Sequence, residues 1–364
     1  MNNNKIIAVF AVVVIVLAGA GIVYLLTRDD GSDGNTITDA RGRKVAVPEE
    51  IDSILAMKSC SLQLVSFFDA VEKVTYLDGN TIGTGGENLA DPDRTHTFIM
   101  NDLFKGLPFV DTNNPEAVMM TKVDIIISSD VSVSTLNEFQ AKVGIPVFAV
   151  NADVEFDSPF MYEQLLSLGK LFGEEERAQE LVDGIKSMID DITDNVSHVD
   201  GFAGYVCGMN YYGIGTFLKT SGDYLPFKYS KLDNVMPPKV GGQPYDTQKE
   251  IIAAKNPQVI FIDGIRLSAV IQDIKNDIEL YQPTDAVSNG EIYKTMVYKD
   301  WGTNWVNLLI NVYYVASVVH VGDFDWTFED KADEIIQLFY PGTDVTYSDL
   351  ADAQTGGGCG KVLL

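Results

Sequence analysis

The chain has 364 residues, 46% of them hydrophobic, which is length and apolar content enough for two packed domains and excludes a disordered or fibrous protein. Its formal charge of −26, from 52 acidic against 26 basic residues, argues against nucleic acid and against an anionic lipid surface as partners, because a polyanion repels both. Cys60, Cys207 and Cys359 leave room for one disulfide but not for a framework, and three histidines in all (His96, His198, His320) argue against a His-rich zinc site.

Residues 6–27 are 22 consecutive uncharged, mostly apolar positions, enough at about 1.5 Å per residue to cross a hydrocarbon core of about 30 Å. Lys5 precedes the run, and Arg28, Asp29 and Asp30 follow it, a weak preference for an inside N-terminus. We expect residues 1–28 to be an uncleaved transmembrane helix in the cell membrane, with the bulk of the chain on the extracytoplasmic side. A cleavable signal is the alternative, since Ala18-Gly19-Ala20 resembles a cleavage site, although residues 22–26 stay apolar beyond it. No cysteine lies near the end of the run for lipid attachment. Residues 29–35 read as a short tether.

Residues 36–48 read as a hairpin around an Ala40-Arg41-Gly42 turn. A strand at 51–57, a helix at 60–68 and a strand at 73–77 give a βαβ rhythm and hence a parallel sheet covered on both faces. Residues 78–112, which include Gly83-Thr84-Gly85-Gly86, have little periodicity; they are expected as an irregular rim loop of a cleft, or else as a disordered insertion. A helix at 134–142 and a strand at 146–150 complete an N-terminal α/β lobe, 36–157. Residues 158–197 carry apolar side chains at helical spacing, among them Leu165, Leu168, Leu181 and Ile185. Gly173 interrupts this pattern and Glu174-Glu175-Glu176 restarts it, so two helices stand in series, one of them spanning the lobes. The second lobe, 198–345, opens with a strand at 202–208 and a Tyr/Gly-rich stretch. It continues through an Asn289-Gly290 turn into a strand, and closes with helices at 304–320 and 329–340. The Gly-rich segment 346–364 is expected to be a flexible tail.

One design occurs twice, 134 positions apart. Residues 114–127 and 247–261 each read as a capped helix running into a buried strand. In each, a glutamate in the first turn (Glu116, Glu250) is followed eight residues later by a polar residue (Asp124, Gln258) that opens the apolar run. Glu116 follows a proline at the first helical position, and Thr247 with Glu250 has the spacing of a capping box. Similar halves suggest two lobes and a cleft between them.

The chain resembles the substrate-binding proteins of ABC importers in the class with one rigid interdomain helix, which captures iron-siderophore complexes, haem and corrinoids. The residues that carry the likeness are the segments 36–48 and 114–127, Gly144-Ile145-Pro146-Val147, Leu168-Gly169-Lys170-Leu171-Phe172-Gly173, Lys255-Asn256-Pro257-Gln258-Val259-Ile260-Phe261 and the segment 286–293. Trp301-Gly302-Thr303-Asn304 and the stretch that follows it are most similar to archaeal members associated with iron transport. The resemblance implies an α/β fold of two Rossmann-like lobes with parallel central sheets, joined by a long helix, with the ligand in the cleft and only a small closure. It also implies that Glu116 and Glu250 present one carboxylate per lobe to arginines of the permease, and that the partners are an ABC permease and its ATPase. No intrinsic cofactor is expected; the cargo is a metal chelate such as an iron-siderophore, haem or a corrinoid, and no metal ligands are identified.

Open α/β sheets bind ligands at the carboxyl ends of their strands. The cleft candidates are therefore Lys58, Ser59 and Cys60, flanked by Met57 and Ser61; Ser129 and Asp130; Asn210, Tyr211 and Tyr212 after Met209; Gln243 after Gly241 and Gly242; and Tyr298 and Trp301. Trp305 is a further aromatic candidate; the alternative is that Trp301 and Trp305, four residues apart, form a core stripe of the following helix. No arginine cluster is evident near the cleft, which weighs against a highly charged anion. There is no nucleophile elbow, phosphate-cradling loop, dinucleotide fingerprint or HExxH helix, so no catalytic residue is assigned and the chain is not read as an enzyme. A membrane-tethered sensor of the same fold is the alternative to an importer subunit.

Overall fold

Strands that are apolar at every position are stable only where both sheet faces are covered, and the chain supplies them in two sets. The structure, a computed structural model, describes residues 35–364 apart from 59, 84, 85, 87, 88, 90, 210–214, 241, 300 and 301. The hairpin of β1 (Thr36–Thr38) and β2 (Lys44–Ala46) comes first, as expected. It is followed by β3 (Ile54–Met57), β4 (Val74–Asp78), β5 (Phe109–Val110), β6 (Ile125–Ser128) and β7 (Val147–Ala149). These five form a parallel sheet in the order β5-β4-β3-β6-β7. Ile54, Ala56, Ile125 and Ile127 face one apolar core, while Leu55, Met57 and Ile126 face another, the two-residue alternation of a doubly covered sheet.

The second set is β8 (Ala203–Cys207), β9 (Lys219–Thr220), β10 (Asp233–Asn234), β11 (Tyr245–Asp246), β12 (Val259–Asp263), β13 (Ile292–Thr295) and β14 (Gly360–Lys361). Five of them form a sheet in the order β10-β8-β12-β13-β14, parallel except for β14; β9 and β11 pair separately. In both sheets the chain builds outward on one side of the first strand, β3 or β8, and then crosses to its other side with β6 or β12. That reversal opens a crevice at the carboxyl ends of the central strands.

The repeated design has a physical purpose. Asp124, at the entry to β6, accepts the backbone N–H groups of Asp52 and Ser53, each at 2.9 Å, and the Ser53 hydroxyl at 2.8 Å. These bonds, the Asp52 one foremost, hold its carboxyl below the usual carboxylate range. Gln258, at the entry to β12, accepts the Ala203 N–H at 2.8 Å and returns its own N–H to the Ala203 carbonyl at 2.9 Å. Each polar residue thus pins the start of the first strand of its sheet and fixes the register of the pair beside it.

The helix Pro159–Phe172 ends at Gly173, which adopts the left-handed conformation (φ 73°) required there, and Glu175–Asn195 follows. This 21-residue helix, about 30 Å long, touches both halves. At its start Glu174 accepts the N–H groups of Asp69 and Ala70, and Arg177 donates to the Phe67 carbonyl. Near its end Lys231 donates to the carbonyls of Thr193 and Val196. One apolar cluster runs from Ile54 and Ile127 through Leu181 and Ile185 to Trp305, Val206 and Phe261, so the sheets share a core.

Several expectations are corrected. Residues 78–112 are not an irregular loop: they contain helices Gly79–Ile82, Thr95–Ile99 and Asn101–Phe104 as well as β5, with Asp93, Thr95 and Thr97 buried. Residues 346–364 are not a flexible tail: Thr346 and Asp349 form a capping box on the helix Tyr347–Ala353, and β14 pairs with β13. The capping box expected at Thr247 is absent. The Thr247 N–H extends the β9–β11 ladder by bonding the Leu218 carbonyl, so the helix Lys249–Lys255 starts one residue later with Gln248 at its N-cap. The Asn289-Gly290 turn is the end of a short helix, Asp285–Asn289. The three cysteines are free thiols. The apolar run at 6–27 lies outside the described residues, and among those described no helix is long and apolar enough to cross a membrane.

Candidate functional site

The loop leaving β3 holds Lys58 (φ 71°) and Cys60 (φ 64°) in the left-handed region, a conformation that costs a non-glycine residue about 1–2 kcal/mol and must be enforced by its surroundings. The Lys58 N–H is held at 2.8 Å by Asp78, at the end of β4, whose carboxylate also accepts from the Asn80 N–H and the hydroxyls of Thr81 and Thr112. The Lys58 ammonium lies 3.8 Å from Asp130, in the loop after β6. Three strand ends are thereby tied together at the crossover point of the first sheet.

Beneath this loop is a small inner cavity of about 30 Å³, lined by Lys58, Cys60, Gln63, Asp78, Asp93, Arg94, His96 and Asn304. Arg94 donates to the Thr81 carbonyl at 2.7 Å and lies 3.8 Å from Asp91. Burial, helped by the Arg94 charge, pushes the His96 imidazole down to about 3, so it is neutral. His96 Nδ1 and Gln63 Oε1 are buried with no hydrogen-bond partner among the described residues. Burial also pushes the Cys60 thiol up to about 12, and its Sγ approaches the carbonyls of Thr303 (3.5 Å) and Ala152 (3.6 Å). At that value the thiol is protonated at neutral pH.

Asn304, on the cavity wall, begins a buried amide stripe. Asn304 caps the helix Trp305–Val319, and Asn307 and Asn311 follow on the same face. Asn304 donates to the Asp93 carbonyl and the Thr95 hydroxyl, which in turn donates to Asn307 at 2.8 Å. Asn307 and Asn311 donate to the carbonyls of Val297 and Met296, and Asn311 accepts the Met296 N–H. The stripe holds the 93–97 and 296–297 segments to one helix.

Next to it is an outer chamber of about 250 Å³. The segment after β7 contributes Asp153, Val154 and Glu155; the second half contributes Met209, Ser221, Asp223, Gln243, Tyr298 and Lys299. Thr303 lines both spaces. Across the chamber the two halves are joined: Lys299 donates to Asp153 at 3.1 Å and to the Thr303 hydroxyl at 2.6 Å, Lys228 lies 3.3 Å from Asp157 and 3.9 Å from Glu155, and the Trp305 indole donates to the Val154 carbonyl at 2.9 Å.

Of the sequence candidates, Lys58 and Cys60 line the inner cavity and Gln243 and Tyr298 the outer chamber. Asp130 enters through its ion pair with Lys58, whereas Ser129 is buried and lines neither space. Ser59, Asn210, Tyr211, Tyr212 and Trp301 lie outside the described residues. Trp305 is fully buried and lines neither space, while Trp301, its partner in the expected core stripe, lies outside the described residues. Arg94 and His96 were missed, and so was the amide stripe. Its signal was three asparagines at positions i, i+3 and i+7 in an otherwise apolar helix. Glu116 and Glu250 are exposed in the first turns of their helices. Glu116 borders a surface hollow with Met119 and Lys142.

Asp263, at the carboxyl end of β12, is pushed from its ordinary 3.8 up to about 7 by burial, with Asp93 nearby adding to the rise; its bond from the Ile265 N–H opposes it. Because the folded value is raised, the stability it confers is full below 3.8 and is lost as pH rises through about 7. His96, lowered from 6.5 to about 3, acts in the opposite sense: its contribution is full above 6.5 and is lost as pH falls toward 3. Asp263→Asn is expected to flatten the loss of stability between pH 5 and pH 7.5, about the window these values set. Urea denaturation of both proteins at the two pH values checks this; equal slopes would reject it.

The comparisons agree with this architecture. The pattern of the periplasmic binding protein family matches residues 105–296, more than half of the chain. The chain belongs to the periplasmic binding protein family. No curated protein matches it. Among solved structures it is similar to a periplasmic solute binding protein from Veillonella parvula, with a TM-score of 0.68 and 17% identity over 88% of this chain and 96% of that one. The molybdate periplasmic binding protein MolA of Haemophilus influenzae, solved with molybdate bound, gives 0.63 at 16% identity over 86% and 99%. Helicobacter pylori CeuE with Ni(II) bound gives 0.61 at 14% identity over 85% and 97%. At such identities the likeness is one of fold.

Proposed function

We propose that this protein is the extracytoplasmic solute-binding component of an ABC importer. In this reading the lobes 36–157 and 198–345, joined by the helical segment 158–197, hold an iron chelate, haem or a corrinoid between them. The observation that carries it is the pair of adjoining chambers, lined from both halves and lying at the carboxyl ends of central strands. Cargo larger than the outer chamber extends past the exposed rim at Gly242 and Gln243 to solvent. The shared core and the spanning helix favour a small hinge over a wide clamp. Residues 6–27 would anchor the protein in the membrane, and Glu116 and Glu250 would dock it to a permease coupled to an ATPase.

The test is a titration of the full chain in detergent with ferric siderophores, haem and cobalamin, followed by tryptophan fluorescence and calorimetry. One-to-one saturation by one of them at micromolar affinity or tighter is expected, about −8 kcal/mol or more favourable. Silence across the panel would reject this cargo class.

A further inference from the structure

The charges on the chamber walls narrow the cargo further, given the solute-binding reading above. We propose that the cleft admits neutral or cationic cargo and rejects polyanions. The outer chamber carries three carboxylates, Asp153, Glu155 and Asp223, against one ammonium, Lys299, which Asp153 already engages. The nearby Lys228 is taken up by Asp157 and Glu155. In the inner cavity Lys58 and Arg94 are balanced by Asp78 and Asp93, and each cation has a further carboxylate beside it, Asp130 or Asp91. An anion entering either space would have to compete with these built-in partners for every positive charge.

Two further observations point the same way. The whole chain, at −26, sets a negative field at longer range and concentrates cations. Inside, Gln63 Oε1 is an acceptor that meets no donor among the described residues in a side chain only 2% exposed, and the neutral His96 on the same cavity leaves Nδ1 without a partner among them. Such groups are costly to bury unmatched, and a cargo N–H or O–H satisfies the Gln63 acceptor where an oxyanion does not.

Three probes of similar size but different charge separate the outcomes: a cationic ferric trihydroxamate, a neutral corrinoid and the trianionic ferric tris-catecholate. Each is titrated into the full chain in detergent at low and at high ionic strength. The cationic or the neutral probe is expected to bind at least about a hundredfold more tightly than the trianion, and added salt to weaken the cationic probe most. The double variant Glu155→Gln, Asp223→Asn, which removes two of the three chamber carboxylates and leaves Asp153 on Lys299, is expected to narrow that ratio by about tenfold. Trianion binding as tight as or tighter than the others overturns the charge rule while leaving a solute-binding protein. Binding of none of the three overturns the rule together with the cargo reading beneath it.

Discussion

Reversing both exposed carboxylates, Glu116→Lys together with Glu250→Lys, is expected to abolish cargo uptake by cells while leaving the cargo affinity of the purified protein within about twofold. The two helices that carry them lead into β6 and β12, and each of those strands lies beside the first strand of its own sheet. The carboxylates therefore occupy equivalent places in the two halves, at a spacing fixed by the shared core and the spanning helix. Neither lines a chamber. The fold tolerates the change: losing an acid from a first helical turn costs about 0.3–1 kcal/mol, and Asn114 keeps its cap on the first of the helices. Met119, Met120 and Ile251 stay exposed near the two glutamates and give a docking partner apolar surface to cover. Charges of this kind supply steering and register, so each single reversal is expected to slow uptake partially and high salt to mimic it. A loss of cargo affinity as large as the loss of uptake would sink the docking role, and so would normal uptake by the double variant.

The elements that were legible in the sequence are those whose stability is local or whose burial is complete. β3 is apolar throughout and β6 and β12 are apolar up to their last residue, a pattern that a doubly covered sheet accommodates, and Gly173 marks a helix end because the backbone there needs a left-handed residue. The chambers were half legible, since Lys58 and Tyr298 follow from the rule on strand ends, whereas Arg94 and His96 do not. Their segment consists of helices of four or five residues, too short to be stable on their own. It is held by partners more than 200 positions away, Asn304, Asn307 and Thr355. The last segment misled for a related reason. Gly356 has φ 77°, and a Cβ there would lie 2.3 Å from the Gly264 carbonyl oxygen, so its glycine permits a close approach to β12's exit rather than looseness.

Trp305→Ala is expected to be the most destabilising single change near the cleft, lowering unfolding free energy by about 3–5 kcal/mol. The side chain is fully buried in the core that unites the halves, so truncation opens a cavity between elements of both sheets. It also removes the only donor that the structure shows among described residues for the Val154 carbonyl, whose neighbours Asp153 and Glu155 form the chamber wall. An unmatched carbonyl adds a cost of about 1–3 kcal/mol wherever water cannot reach it. Trp305→Phe separates the two effects, because it keeps most of the volume and loses only the indole N–H. The phenylalanine variant is expected to recover most of the stability, by urea denaturation, while still binding cargo more weakly than the native protein, since the 153–155 wall is no longer tied to the helix Trp305–Val319. Recovery of both stability and affinity would show that Trp305 is core alone; a stability loss in Trp305→Ala below about 1 kcal/mol would contradict its place in the shared core.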